Sequence, residues 1–124
     1  MSVPFSLLWP VRRSASFVGL MIDGVARKDR QLFWKAIRTV DSNAYQRRLQ
    51  LIEQFDIEPH LPEIQTPTLF VAGDRDLLVP SVSEARLMAS KMPNAKVAVI
   101  SGAGHACLLG GKVNLDQLLE VNGV

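Results

Sequence analysis

One cysteine, Cys107, is present in 124 residues. A single thiol excludes an internal disulfide and makes a reducing compartment the default expectation. Long apolar runs are missing as well. Nothing approaches the roughly 18 consecutive apolar residues that a membrane-spanning helix needs. Charge of one sign is scarce: 14 basic side chains face 12 acidic ones, for a net of +2. That excess is too small to argue for a nucleic-acid partner. The basic residues lean toward the N-terminal half, at Arg12, Arg13, Arg27, Lys28, Arg30, Lys35, Arg38, Arg47 and Arg48. A solvated face accounts for them better than a patch for an acidic partner or anionic lipid. No internal repeat or low-complexity tract occurs. His60 and His105 with Asp76 match no spaced ligand cluster, so neither a metal nor a cofactor is expected.

The N-terminus offers little for targeting. Arg12-Arg13 precede an apolar stretch of only Ala15 to Ile22, which Asp23 interrupts, and no small-residue cleavage site follows. A secretory or twin-Arg signal is therefore not expected. The expected location is cytoplasmic, with peripheral membrane attachment as the variant.

What remains is an apolar share of 48% in a chain of one-domain length, enough to bury a core. The pattern changes near residue 60. Before it, apolar positions recur at helical spacing: Phe17, Leu20, Met21 and Val25 on one face, Leu32, Ile37 and Val40 on another. Asp41 or Ser42 caps a further helix whose stripe is Tyr45, Leu49, Ile52 and Phe55. Phe33 and Trp34 read as core residues, not a ligand box. Pro59 and Pro62 end helical structure and form a short rigid linker.

After residue 60 the periods alternate. Thr68 to Ala72 is a short apolar strand stopped by Gly73. Val82 to Met92 is a helix capped by Ser81 or Ser83 and closed by Pro93-Asn94. Lys96 to Ile100 is a second strand, and the Gly-rich loop Ser101-Gly102-Ala103-Gly104-His105 follows it. Leu115 to Val121 is a last helix. Strand, helix, strand, helix is an α/β pattern with a parallel pair. Parallel strands are normally buried on both faces within larger sheets, so two of them read as the end of a larger sheet. The edge beside Leu69 to Val71 would pair with another chain.

In open α/β sheets, functional groups collect on loops at the carboxyl ends of strands. Asp74 and Asp76 follow the first strand and His105 follows the second, so an aspartate and the histidine can meet at one sheet edge. A carboxylate that orients imidazole Nδ1–H leaves Nε2 free to take a proton from a nucleophile. An unperturbed imidazole also titrates where a proton shuttle is useful.

These residues carry a resemblance. Gly73-Asp74-Arg75-Asp76-Leu77-Leu78-Val79-Pro80 resembles the G-x-x-D-x-x-V-P that follows the penultimate strand in the α/β-hydrolase superfamily. Gly102-Ala103-Gly104-His105 resembles the G-x-G-H after its final strand, and Ile64 to Leu69 resembles the segment that enters the penultimate strand. The stretch LLVPSVSEARLMASKMPNAKV, followed by GHACLL and VNL, is similar to the esterase, lipase and thioesterase branch. That branch includes phytyl ester synthase-like acyltransferases. The resemblance covers roughly residues 60–122. It implies that Asp76 is the acid and His105 the general base of a catalytic triad, with Asp74 left a turn role.

Against that pattern, the nucleophile is absent. The superfamily places it on a strand-to-helix turn, G-x-S-x-G, and no such sequence occurs here. Nor is there an early HG-type loop to supply an oxyanion donor. Residues 1–60 resemble the helical cap and return helix, and residues 61–124 the C-terminal portion of the core. The implied fold class is thus the C-terminal portion of an α/β-hydrolase fold: a helical cap segment, then two parallel strands with helices. Ser81 and Ser83 read as helix caps, Ser101 as a turn residue and His60 as a surface linker residue. Cys107 is too close in sequence to His105 for an in-line pair and reads as a small core residue.

Two functions follow as expectations. One is an ester hydrolase or acyltransferase of which these residues are the C-terminal part, nearly inactive alone. Its substrate would be a small-molecule or lipid-like ester, and its partner an N-terminal half. The other is a non-catalytic remnant serving as an interaction module, self-associating through the sheet edge.

Overall fold

In the computed structural model, residues 15–109 and 113–124 are described; the Arg12-Arg13 pair of the signal question lies outside them. Three helices come first: α1 (Ala15–Met21), α2 (Arg27–Arg38) and α3 (Ser42–Gln54). A 3₁₀-helical segment, Glu58–Glu63, leads to β1 (Thr68–Gly73). Then come α4 (Ser81–Lys91), β2 (Ala95–Ile100) and α5 (Leu115–Asn122). Among the described residues, no helix is long and apolar enough to cross a membrane.

β1 and β2 pair in parallel, in a register running from Thr68 opposite Ala95 to Gly73 opposite Ile100. The α/β reading and the parallel pair are therefore present. A parallel neighbour needs a crossover, and α4 supplies it, packing on both strands, while α5 packs on β2. The packed layer is made of small and medium apolar side chains. Ala72, Ala85, Met92 and Ala98 are buried, along with Leu61 of the 3₁₀ segment. Ala72 pairs with Val99 and Ala98 with Val71, so the two alanines line opposite faces of the sheet.

Several expectations about the elements change. Pro59 and Pro62 do not end helical structure; they sit inside the 3₁₀ segment. Pro59 sits in the first turn, where its missing N–H needs no partner, whereas Pro62 lies further inside the segment. In α1 Val18 is buried, as are Ile22 and Val25 just beyond its end, whereas Leu20 is 39% exposed. In α2 no residue is buried, and Leu32 is 68% exposed. Phe33 and Trp34 are half-buried and not core. In α3 only Leu49 of the expected stripe is buried; Ile52 and Phe55 are largely exposed. Helical spacing sets which side chains share a face, but the face is buried only where another element covers it. Among the described residues, little covers α2 and α3. The α3 cap does follow expectation: the Asp41 carboxylate accepts from Ala44 N at 2.7 Å.

Candidate functional site

The site begins where β1 stops. Gly73 is buried, and its Cα lies against the loop that follows β2. A Cβ there would stand 2.5 Å from Gly104 O and 2.8 Å from the Ala103 carbonyl carbon, so only glycine fits. The two loops are laced together beyond the last strand pair. Asp74 N donates to Ile100 O at 3.3 Å, and Arg75 N to Ala103 O at 2.9 Å. Gly102 N returns a bond to Asp74 Oδ1 at 2.7 Å. Asp74 thus ties its loop to the neighbouring one, where a turn role within its own loop was expected. Gly102 reverses the chain at φ +72°, a conformation open to glycine.

The turn after α1 closes the third side. Gly24 lies at φ +78°, and Gly104 is pressed against Asp23 so closely that a Cβ would overlap the Asp23 carbonyl. Arg75 reaches Asp23 Oδ2 at 3.8 Å across the same junction.

This lacing delivers Asp76 and His105 to one place. His105 Nδ1 lies 2.9 Å from Asp76 Oδ2. The Asp76 side chain is 3% exposed and that of His105 37% exposed. Asp76 Oδ1 accepts from Leu78 N at 2.9 Å and Val79 N at 3.2 Å, so its own turn grips it. Its second oxygen also accepts from the Ser81 hydroxyl. Burial alone would push this carboxyl up. Donation by Ser81, His105, Leu78 N and Val79 N outweighs it and holds the group below its ordinary value. Asp76 is therefore ionised at neutral pH, and an ionised carboxylate only accepts. Nδ1 is thus the ring nitrogen that donates to it, and in the neutral imidazole Nε2 presents a lone pair. Among the described residues, that nitrogen has no hydrogen-bond partner. Such an arrangement can take a proton from a hydroxyl or thiol at Nε2 and return it to a leaving group.

Ser81 is the residue that sequence reasoning assigned to a different task. The N-cap of α4 is Pro80, and no side chain caps that helix. Ser81 is its first helical residue. Ser83 donates to Pro80 O at 2.9 Å and likewise caps nothing. A serine ahead of an apolar run signals a cap in any sequence. Only its five-residue distance from Asp76, one tight turn, hinted at another partner.

The remaining candidates lie apart from this arrangement. Cys107 is half-buried; burial pushes its thiol up, and the Asp76 charge adds to the effect. It lines a small cavity of about 170 Å³ beneath the Gly-rich loop, with Asp23, Leu109 and Val113. His60 is exposed, with Nδ1 3.6 Å from Glu63 Oε1. Ser101 is exposed on the loop turn. Among the described residues, no group of His, Cys, Asp or Glu side chains is arranged to hold a metal ion. An open groove of about 480 Å³ runs beside Asp76, lined by Gly73, Pro80, Ser81, Val82 and Arg86. A second groove, on α2 around Trp34 and Lys35, contains neither member of the pair.

Comparison with known proteins adds sequence relationships to this geometry. A family model described as the alpha/beta hydrolase fold matches residues 13–111. A protein of Stutzerimonas stutzeri named as a carbamate hydrolase, RutD, is 40% identical over 73 residues, 59% of this chain and 27% of its own length. A pimeloyl-[acyl-carrier protein] methyl ester esterase of Xanthomonas oryzae pv. oryzae is 36% identical over 77 residues, 62% of this chain and 30% of its own. The chain therefore spans less than a third of these relatives. No solved structure matches.

Proposed function

The chain belongs to the α/β-hydrolase fold family, and on that premise we propose that it is the C-terminal part of an ester hydrolase or acyltransferase. Asp76 is the acid of its triad and His105 the base. The observation that carries this reading is the 2.9 Å approach of His105 Nδ1 to a buried carboxylate that four donors hold ionised. A structural aspartate on a turn needs only its own backbone amides. A histidine delivered from a separate loop onto its second oxygen has its Nε2 fixed in direction.

In the complete enzyme a serine supplied from outside these residues attacks the carbonyl carbon. His105 Nε2 takes the hydroxyl proton as the C–O bond forms. It then gives that proton to the departing oxygen or nitrogen as the tetrahedral intermediate collapses to an acyl-enzyme. Water or an alcohol repeats the sequence in the second half, which is the difference between hydrolase and transferase. Asp76 keeps its negative charge throughout and stabilises the imidazolium that forms. The named substrates of the two relatives, a carbamate and a methyl ester, are both carbonyl carbons bearing a heteroatom leaving group, which suits this chemistry. Residues 1–60 serve as cap and return helix, 61–124 as the end of the core, and the setting is cytoplasmic.

By themselves these residues should show almost no turnover. Ser81 is engaged with Asp76, Ser83 with Pro80 O, and the raised Cys107 thiol is a poor nucleophile. The exposed Leu32, Ile52 and Phe55 side chains favour a second reading, an interaction module without catalysis. They serve equally as the surface that receives an N-terminal half, and the ordered acid–base pair favours the enzyme.

The test is reconstitution. The purified chain is assayed on an aryl acetate and a methyl ester, alone and co-expressed with an N-terminal segment that carries G-x-S-x-G. Turnover is expected only in the reconstituted protein and should fall by about 10⁴- to 10⁶-fold with His105→Ala. Reconstituted turnover indifferent to His105→Ala would remove the histidine from its role. Turnover by the chain alone, lost on that substitution, would show that the nucleophile lies within it.

A further inference from the structure

We propose that Ser81 is a positioning residue for the Asp76–His105 pair: its hydroxyl, arriving from α4, fixes Asp76 Oδ2 in the direction of His105 Nδ1. The inference rests on the acid–base reading above and extends it to a third side chain.

Asp76 has two oxygens with different jobs. Oδ1 is held by Leu78 N and Val79 N, both in the turn that Asp76 itself opens. Those bonds fix a pivot. They leave the other oxygen to be oriented by whatever reaches it from elsewhere. Two groups do: His105 Nδ1 from the loop after β2, and Ser81 Oγ from the first residue of α4. Of the two, His105 is the group that must respond during a reaction. Ser81 is the fixed one, since it is half-buried on a helix and its own N–H is bonded to Val79 O at 2.8 Å. A serine hydroxyl near a helix start ordinarily satisfies that helix. Here α4 has no side-chain cap, and the hydroxyl is directed to the carboxylate instead.

The charged neighbours explain why a hydroxyl suits this task. Asp74 spends Oδ1 on Gly102 N. Arg75 faces Asp23. Arg86 lines the same groove as Asp76 and Ser81 yet makes no ion pair with the carboxylate. Cys107, beyond His105, is held in its neutral form by burial. Among the described residues, no Lys or Arg bridges to Asp76. A guanidinium in the place of Ser81 would orient the carboxylate but neutralise it. A hydroxyl orients it and leaves the full negative charge to stabilise the imidazolium.

The experiment is long-range ¹H–¹⁵N NMR of the full chain near pH 8, which reads the ratio of Nδ1–H to Nε2–H tautomers of His105, with ¹³C detection of Asp76. Wild type should favour Nδ1–H. Ser81→Ala should lower that ratio about three- to tenfold, as expected for loss of one ordinary hydrogen bond, and should raise the Asp76 midpoint. Ser81→Thr keeps the hydroxyl and should keep the wild-type ratio. An unchanged ratio in Ser81→Ala overturns the proposal, and so does a ratio lowered equally by Ser81→Thr. Asp76→Asn separates the two layers of inference. If it abolishes the preference while Ser81→Ala does not, the acid–base pair stands and Ser81 has no part in it. If Asp76→Asn leaves the preference intact, the pair itself is not coupled and both inferences fall.

Discussion

Two glycine-to-alanine substitutions should change stability in opposite directions, because the space around the two glycines differs. At Gly73 an added methyl meets only backbone: Gly104 O at 2.5 Å and the Ala103 carbonyl carbon at 2.8 Å. Neither atom can retreat freely, since Ala103 O accepts from Arg75 N and Gly73 is in register with Ile100. Overpacking of this kind costs about 2–3 kcal/mol. Gly19 lies inside α1 with nothing within 4 Å of the same added methyl. There alanine removes unfolded-state freedom and gains helix propensity, worth about 0.5–1 kcal/mol. With a urea dependence of about 1.5–2 kcal/mol per molar, Gly73→Ala should lower the unfolding midpoint by about 1–2 M, and Gly19→Ala should raise it by about 0.3–0.7 M. Far-ultraviolet circular dichroism in urea reads both. Equal midpoints for Gly73→Ala and wild type would mean the two loops are not packed as described, and the lacing that brings Asp76 to His105 would lose its support.

The Asp76 carboxyl, held below its ordinary value of 3.8, makes stability depend on acidity. Its contribution is fully present above the unfolded value and is lost as pH falls through the folded one, so the urea-midpoint gap between wild type and Asp76→Asn should be constant from pH 7 to about 5 and close progressively below that; a gap that widened in acid would reverse the argument. The Cys107 thiol, pushed up by burial, should alkylate with iodoacetamide at pH 7.5 about five- to tenfold more slowly than a free cysteine, and a faster rate would reopen its candidacy as a nucleophile.

How far the sequence alone reaches differs between the two halves. The strand–helix–strand unit was legible because short apolar runs bounded by Gly73, Pro93 and Gly102 admit few alternatives. The loops at its strand ends were legible for the same reason, so Asp76 and His105 could be placed on one edge before any coordinates. Ser81 was not legible, since the local signal for a helix cap and the local signal for a carboxylate partner are the same residue. The glycine lacing was hidden as well: that Gly73 faces Ala103 and Gly104 faces Asp23 depends on how three separated segments meet. For α2 the expected face misses the partly covered one, which carries Phe33, Trp34 and Ile37, and for α3 the spacing overestimates burial. Leu32, Ile52 and Phe55 sit at sound helical intervals and yet remain exposed, because periodicity describes a helix and not the surface that covers it.

The geometry of the pair bears on what a nucleophile-bearing segment would have to supply. Among the described residues, every hydrogen bond that orients Asp76 comes from residues 76–105: its own turn, the first residue of α4 and the loop after β2. The loop after β2 is in turn buttressed by Gly73 and by the Asp23-Gly24 turn. Asp76 and His105 are thus held together by one β–α–β unit and a single turn from the preceding helices, and the cost of ordering them is met when that unit folds. An N-terminal segment would then have to supply a nucleophile and an oxyanion donor, but not the direction of the imidazole. The tautomer preference of His105 should accordingly be the same in the chain alone and in a reconstituted enzyme before substrate binds. If reconstitution shifted that preference, the nucleophile-bearing segment would be contributing to the orientation of the base, and the pair could not be called preorganised.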